Sequence, residues 1–238
     1  MQGKSPVLLV CEHASNHIPS RYNRLGLTDK AVQSHIAWDP GALDVAQHLV
    51  KMLDAALVAQ KISRLVYDCN RPPSSPDAMR AISEIYRIPG NENLTAADIQ
   101  ARIDTVYTPF RTTLGQTIEQ RITDGFDPVI VTIHSFTPEY NGKPRDVEIG
   151  ILHDVDSRLA DKMLGLADQK YNIQRNAPYG PDDGVTHTLL DQAVSRGLKN
   201  VMIEIRNDLL ETLQGRHDVV IWLAELISSA IISEKEVA

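Results

Sequence analysis

The chain has 238 residues, a formal net charge of −7, 42% hydrophobic and 23% charged residues, and two cysteines. That length suits one domain over residues 1–238, large enough to bury a core without crosslinks, and two cysteines are too few for a disulfide scaffold. Neither the basic stripe of a nucleic-acid binder nor the ~20 consecutive apolar residues of a membrane span is present.

The opening apolar stretch is shorter than the roughly 7–15 residues of a secretory h-region. A cytoplasmic protein is therefore expected, with Cys11 and Cys69 as buried thiols. Residues 6–10 read as a buried strand running into Cys11-Glu12-His13. Thr28-Asp29 opens a short helix, and a firmer one follows Asp39-Pro40-Gly41, with Ala42, Val45, Ala46, Leu49 and Leu53 on one face. Strands are expected at 55–59 and 64–67, then a long Pro/Ser/Asn-rich loop over 70–93. Thr95 is the expected N-cap of a long helix with Asp98 in its first turn and a kink at Pro109. A strand at 129–133 ends at His134-Ser135, and another spans 147–152. Helices follow from Asp156 and over 188–196, separated by the turn-rich segment 176–183. The last strand, 201–203, ends at Glu204-Ile205-Arg206, before a C-terminal helix. Strands alternating with helices predict an α/β domain of three layers, a mostly parallel or mixed central sheet with helices on both faces.

Four of these runs end abruptly in residues that do chemistry, and ligands of such sheets collect beyond the strands' carboxyl ends. His13 and His134 are candidate metal ligands, because two imidazoles, a carboxylate and an open position make a catalytic zinc site. Asp68-Cys69-Asn70-Arg71 reads in two ways. It suits a strand-to-loop turn in which Asp and Asn bond their own backbone; equally, Arg71 offers a fork to a substrate carboxylate, with Asn70 beside it. Glu204 is either the partner of Arg206 on one strand face or a general base acting on metal-activated water. Arg145 and Arg206 are further candidate anion-binding groups, and His187 a candidate hydrogen bonder of substrate or oxyanion. The combination points to a metal-assisted hydrolase of an anionic substrate, since local arginines can dominate a cleft in a negatively charged protein.

The strings Cys11-Glu12-His13-Ala14-Ser15-Asn16-His17-Ile18-Pro19 and His35-Ile36-Ala37-Trp38-Asp39 resemble the N-formylglutamate amidohydrolase family. So do the segments 63–71, 88–91 and 203–209, and the likeness runs from about residue 7 to about 215. That family is similar, more distantly, to zinc exopeptidases and aspartoacylases. The resemblance implies the zinc-exopeptidase fold and hydrolysis of N-formyl-L-glutamate to formate and L-glutamate, with one divalent cation, Zn2+, and a small anionic N-acyl amino acid as partner. It assigns metal binding to His13 and His134, substrate carboxylate binding to Asn70 and Arg71, and the base to Glu204. Asn16 stands where the related enzymes carry a Glu ligand. The remaining candidates for the third ligand are Asp39 and Glu12; Asp39 is preferred because Glu12 should point to the opposite sheet face from His13. Two other readings stay open: hydrolysis of another N-acyl amino acid or short peptide, and metal-free binding of acidic amino acids.

Overall fold

The computed structural model describes residues 3–232. Six strands form one sheet: β1 (Val7–Cys11), β2 (Ala56–Ala59), β3 (Val129–Phe136), β4 (Ile149–Leu152), β5 (Ile173–Arg175) and β6 (Asn200–Arg206). Their spatial order is β2-β1-β3-β6-β4-β5. The first four in that order run parallel; β4 lies antiparallel to β6, and β5 parallel to β4. The sheet is thus mixed and mostly parallel, as the alternation of elements predicts.

Alternate residues of β1 feed two cores. Val7, Leu9 and Cys11 pack on the face covered by α2 (Ala42–Leu53), α5 (Arg158–Leu166) and α6 (Leu213–Ile232). Leu8 and Val10 pack on the opposite face, against Phe110, Leu114 and Ile118 of α4 (Thr108–Thr123). Both faces being covered, β1 and β3 read as continuous apolar runs rather than as an alternating pattern. Cys11 and Cys69 are buried and free.

Helix starts follow local chemistry. The Thr28 hydroxyl accepts from Ala31 N–H at 3.3 Å to open α1 (Asp29–Gln33). Thr95 and Asp98 form a reciprocal capping box at the head of α3 (Ala96–Arg102). The kink expected at Pro109 is a π turn, Ile103–Tyr107, in which Thr108 N–H bonds Ile103 C=O. Proline has no N–H to give to Thr105, and its ring displaces that carbonyl, so the helix widens by one residue there. A second π turn, Leu189–Ala193, replaces most of the regular helix expected over 188–196.

The expected strand over 64–67 is absent. Val66 N–H bonds Ser63 C=O at 2.9 Å and Leu65 N–H bonds the Ser63 hydroxyl at 3.2 Å, closing a turn. A serine side chain competing for backbone donors is enough to divert so short a run. Strand β5 has no counterpart in the sequence reading, because its three residues include a single apolar one, Ile173, at the sheet edge.

The connections leaving β1 and β3 diverge, since the chain passes from β1 to β2 on one side and from β3 to β4, which lies beyond β6, on the other. A crevice opens at the carboxyl ends of such a strand pair. His13, His134 and Glu204 all stand at this end of the sheet. No helix among the described residues is long and apolar enough to cross a membrane.

Candidate active site

His13 follows β1 by two residues, and His134 and Glu204 lie side by side in register on β3 and β6. Strand alternation puts these last two on one face, with Gly150 of β4 as Glu204's other neighbour. A Cβ at Gly150 would sit 2.0 Å from the Ala177 carbonyl oxygen, so glycine lets the 177–179 segment, with Tyr179, close over the strand. Asp39 arrives from the turn that leads into α2, its N–H bonded to His13 C=O at 2.9 Å. All four side chains are buried and line a cavity of about 630 Å3, together with Arg64, Asp68, Asn70, Arg71, Arg145 and Tyr179.

Asp39 Oδ2 is the point of convergence. It lies 3.2 Å from His13 Nδ1 and 2.8 Å from His134 Nδ1, and the two rings meet edge to face with centroids 4.8 Å apart. The far nitrogen of each ring meets another carboxylate. His13 Nε2 is 2.7 Å from Asp68 Oδ1, and His134 Nε2 is 3.1 Å from Glu12 Oε2, the latter without hydrogen-bond alignment. A neutral imidazole carries one proton. With that proton held at Nε2 by an outer carboxylate, a lone pair at Nδ1 would face Asp39 oxygen, an arrangement that needs either a second proton or a cation.

Protonation is what burial resists and the acids impose. Burial pulls both imidazoles down, and Arg64 adds to this at His13; Asp68 and Asp39 still hold His13 above its ordinary value, and Glu12 and Asp39 hold His134 well above it. Burial likewise pushes Asp39 up, but the two imidazoles keep it far below the usual carboxylate range. A divalent cation satisfies the same lone pairs without two buried imidazolium ions. His13, Asp39 and His134 form a group whose ligand atoms all lie within 4.8 Å of one another and which could hold a metal ion. The donor set fits: two imidazoles, one carboxylate and an open side toward the cavity.

Glu204 Oε2 is buried and has no hydrogen-bond partner. Burial pushes its carboxyl up to about 7, Asp39 adding to the rise and the His134 and His13 imidazoles opposing it. An unpartnered acid with a pKa near neutrality, aimed into a cleft, has the properties of a general base.

Four sequence-based candidates stand apart from the cation-binding group. Glu12 is buried behind the His134 ring rather than in the cavity, so it serves as that ring's outer partner; the chain turns immediately after β1 and sends the two side chains apart. His187 does not line the cavity: its Nε2 bonds Tyr107 hydroxyl at 2.9 Å and its ring stacks on that tyrosine. Arg206 also lies outside the cavity lining, held by Asp208 at 2.8 and 3.1 Å and by Glu148 at 3.3 Å. Asn70 lines the cavity, with one amide hydrogen given to Val185 C=O and its oxygen accepting from Thr188 N–H at 3.0 Å, which ties down the 185–188 segment and leaves its second N–H free.

Two arginines keep their charge available. Arg145 is held by Thr137 C=O at 3.3 Å and Tyr179 hydroxyl at 3.0 Å. It lies 4.7–5.5 Å from the ring centres of Phe136, Tyr140 and Tyr179. Arg71 donates to the carbonyls of Gly184 and Asn70. Among the described residues neither makes an ion pair. Sequence reasoning assigned no role to Arg64 or Asp68 beyond the turn; the signal it had was their four-residue spacing, which here places Arg64 Nη2 3.0 Å from Asp68 Oδ2.

Comparison with known proteins bears on the fold and the family. A structure of a gene product from Agrobacterium tumefaciens shares 53% identity, with a TM-score of 0.96, covering 98% of this chain and 93% of that one. The crystal structure of N-formylglutamate amidohydrolase from Ralstonia eutropha JMP134 superposes with a TM-score of 0.63 at 17% identity, covering 100% and 96% of the two chains, which shows a common fold. No curated protein sequence matches. The family model for N-formylglutamate amidohydrolase matches residues 5–211. Most of the chain, every cavity residue included, falls within that match, and the protein belongs to the N-formylglutamate amidohydrolase family.

Proposed function

We propose that this amidohydrolase is metal-dependent and converts N-formyl-L-glutamate and water to formate and L-glutamate. The observation that carries the reading is the meeting of His13 Nδ1 and His134 Nδ1 on one oxygen of Asp39, beside the unpartnered Glu204 carboxylate. His13, His134 and Asp39 would hold the cation, and Zn2+ suits that donor set. A bound cation there supplies Lewis acidity for the amide carbonyl and makes water more acidic. Glu204 takes the proton from the attacking water and delivers it to the leaving amine nitrogen as the C–N bond breaks. Arg145, braced by Tyr179, and Arg71 bind the two carboxylates of the substrate, and this anchoring sets the formyl carbon in line with the attack.

Release of formate from N-formyl and of acetate from N-acetyl amino acids by the purified protein, with and without a chelator, tests the reading. N-formylglutamate is expected to be the best substrate, and stripping the metal to stop turnover until Zn2+ is returned. No release from any N-formyl amino acid by metal-loaded protein rejects the reaction; turnover persisting in metal-free protein rejects metal dependence.

The carboxylate anchors make a separate prediction. Arg145→Met and Arg71→Lys are each expected to raise KM for N-formylglutamate roughly 10- to 100-fold, because hydrogen bonds to charged groups are worth about 1.5–3 kcal/mol and lysine cannot reproduce a bidentate fork. Metal content should not change. A KM unaltered for every acidic substrate removes that arginine from the site.

A further inference from the structure

Four side chains form a closed ring at the metal-site end of the cavity. His13 Nδ1 meets Asp39 Oδ2 at 3.2 Å; Asp39 Oδ1 meets Arg64 Nη1 at 3.2 Å; Arg64 Nη2 meets Asp68 Oδ2 at 3.0 Å; and Asp68 Oδ1 meets His13 Nε2 at 2.7 Å. Both carboxylates are buried, and Arg64 is the sole cation paired with either of them besides the histidines, among the described residues.

We propose that Arg64 is a positioning residue that makes Asp39 a one-oxygen ligand and locks the orientation of His13. The inference rests on the metal reading above and extends it to a residue outside the donor set. A free aspartate can present both oxygens to a cation. Here Arg64 occupies Oδ1, while Oδ2 faces both imidazoles and the Ser135 N–H at 3.4 Å. The same guanidinium, through its other nitrogen, fixes the carboxylate that grips His13 Nε2, and so the ring cannot turn its Nδ1 away. The planar fork matters more than the charge, because the two carboxylates are reached by two different nitrogens at a set spacing. A lysine ammonium has one nitrogen and would have to choose. Keeping Asp39 to one oxygen preserves the open coordination position that hydrolysis requires.

Co2+ alone is the probe, since its visible absorption reports coordination number without any substrate. Arg64→Met is expected to weaken Co2+ affinity by about 10- to 100-fold, the usual effect of losing an outer partner, and to lower the intensity of the visible bands as Asp39 contributes its second oxygen. Arg64→Lys is expected to resemble Arg64→Met rather than the wild type, with thermal unfolding of the metal-free proteins confirming that each variant is folded. If Arg64→Met does not fold, Arg64→Lys decides alone. Wild-type affinity and spectrum in either folded variant overturn the role of Arg64 and leave the metal reading intact. A wild-type protein that takes up no Co2+ or Zn2+ overturns both.

Discussion

Glu204→Gln is expected to lower kcat for N-formylglutamate by about 10²–10⁴-fold, the span that a positioned general base contributes, while leaving metal affinity within error of the wild type. The substitution keeps the shape of the side chain and removes its capacity to take a proton. It should cost little in folding, because Glu204 Oε2 has no hydrogen-bond partner to lose and a buried carboxylate gives way to a neutral amide. His13, His134 and Asp39 hold one another independently of it, so the metal site should remain assembled. Formate-release kinetics, set beside a metal titration of the same preparation, separate these effects. A variant that binds metal and turns over at the wild-type rate would take Glu204 out of the mechanism. Glu12 is no substitute candidate, although its oxygens also lack hydrogen-bond partners: it lies behind the His134 ring and does not reach the cavity.

What could be read from the sequence was what depends on short-range pattern. Runs of Val, Leu and Ile ending at His134 and Glu204 mark the strands because both sheet faces are covered, and the strand ends then carry the chemistry to one place. The Thr95–Asp98 box and the Thr28 cap are local hydrogen bonds, visible as residue types at fixed spacing. Three things were not visible for physical reasons. The 64–67 run is as apolar as a strand, and a single serine hydroxyl turns it. His187 and Arg206 sit next to site-forming segments, but the segment 185–188 is tied from one side by Asn70, and Arg206 is held by Asp208, two residues on, together with Glu148, which reaches it only after folding. The Arg64–Asp68 link is the reverse case: its four-residue spacing is plain in the sequence, yet its meaning depends on Asp39 and His13, which are 25 and 51 residues away from Arg64 in the chain.

Asp39→Asn is expected to weaken Zn2+ or Co2+ affinity by more than the roughly 10- to 100-fold that follows loss of an outer partner, with turnover falling in proportion at limiting metal. Glu12→Gln is expected to stay within that range. The difference follows from which ring edge each carboxylate faces. Asp39 Oδ2 lies within 3.2 Å of both Nδ1 atoms, where a cation must sit to be shared by the two rings, whereas Glu12 lies on the Nε2 edge of His134 alone. An amide in place of Asp39 can still accept a hydrogen bond from Arg64, but it offers the cation no charge, and two imidazoles by themselves make a poor site for a divalent ion in a buried cavity. Stability of the metal-free Asn variant should fall less than the 3–5 kcal/mol typical of a broken buried pair, because Arg64 keeps Asp68 at 3.0 Å. Metal affinities measured side by side for the two variants assign the third ligand directly. Equal losses would mean that both carboxylates bind the cation, and a larger loss in Glu12→Gln would transfer the role to Glu12 and leave Asp39 as the support for the two histidines.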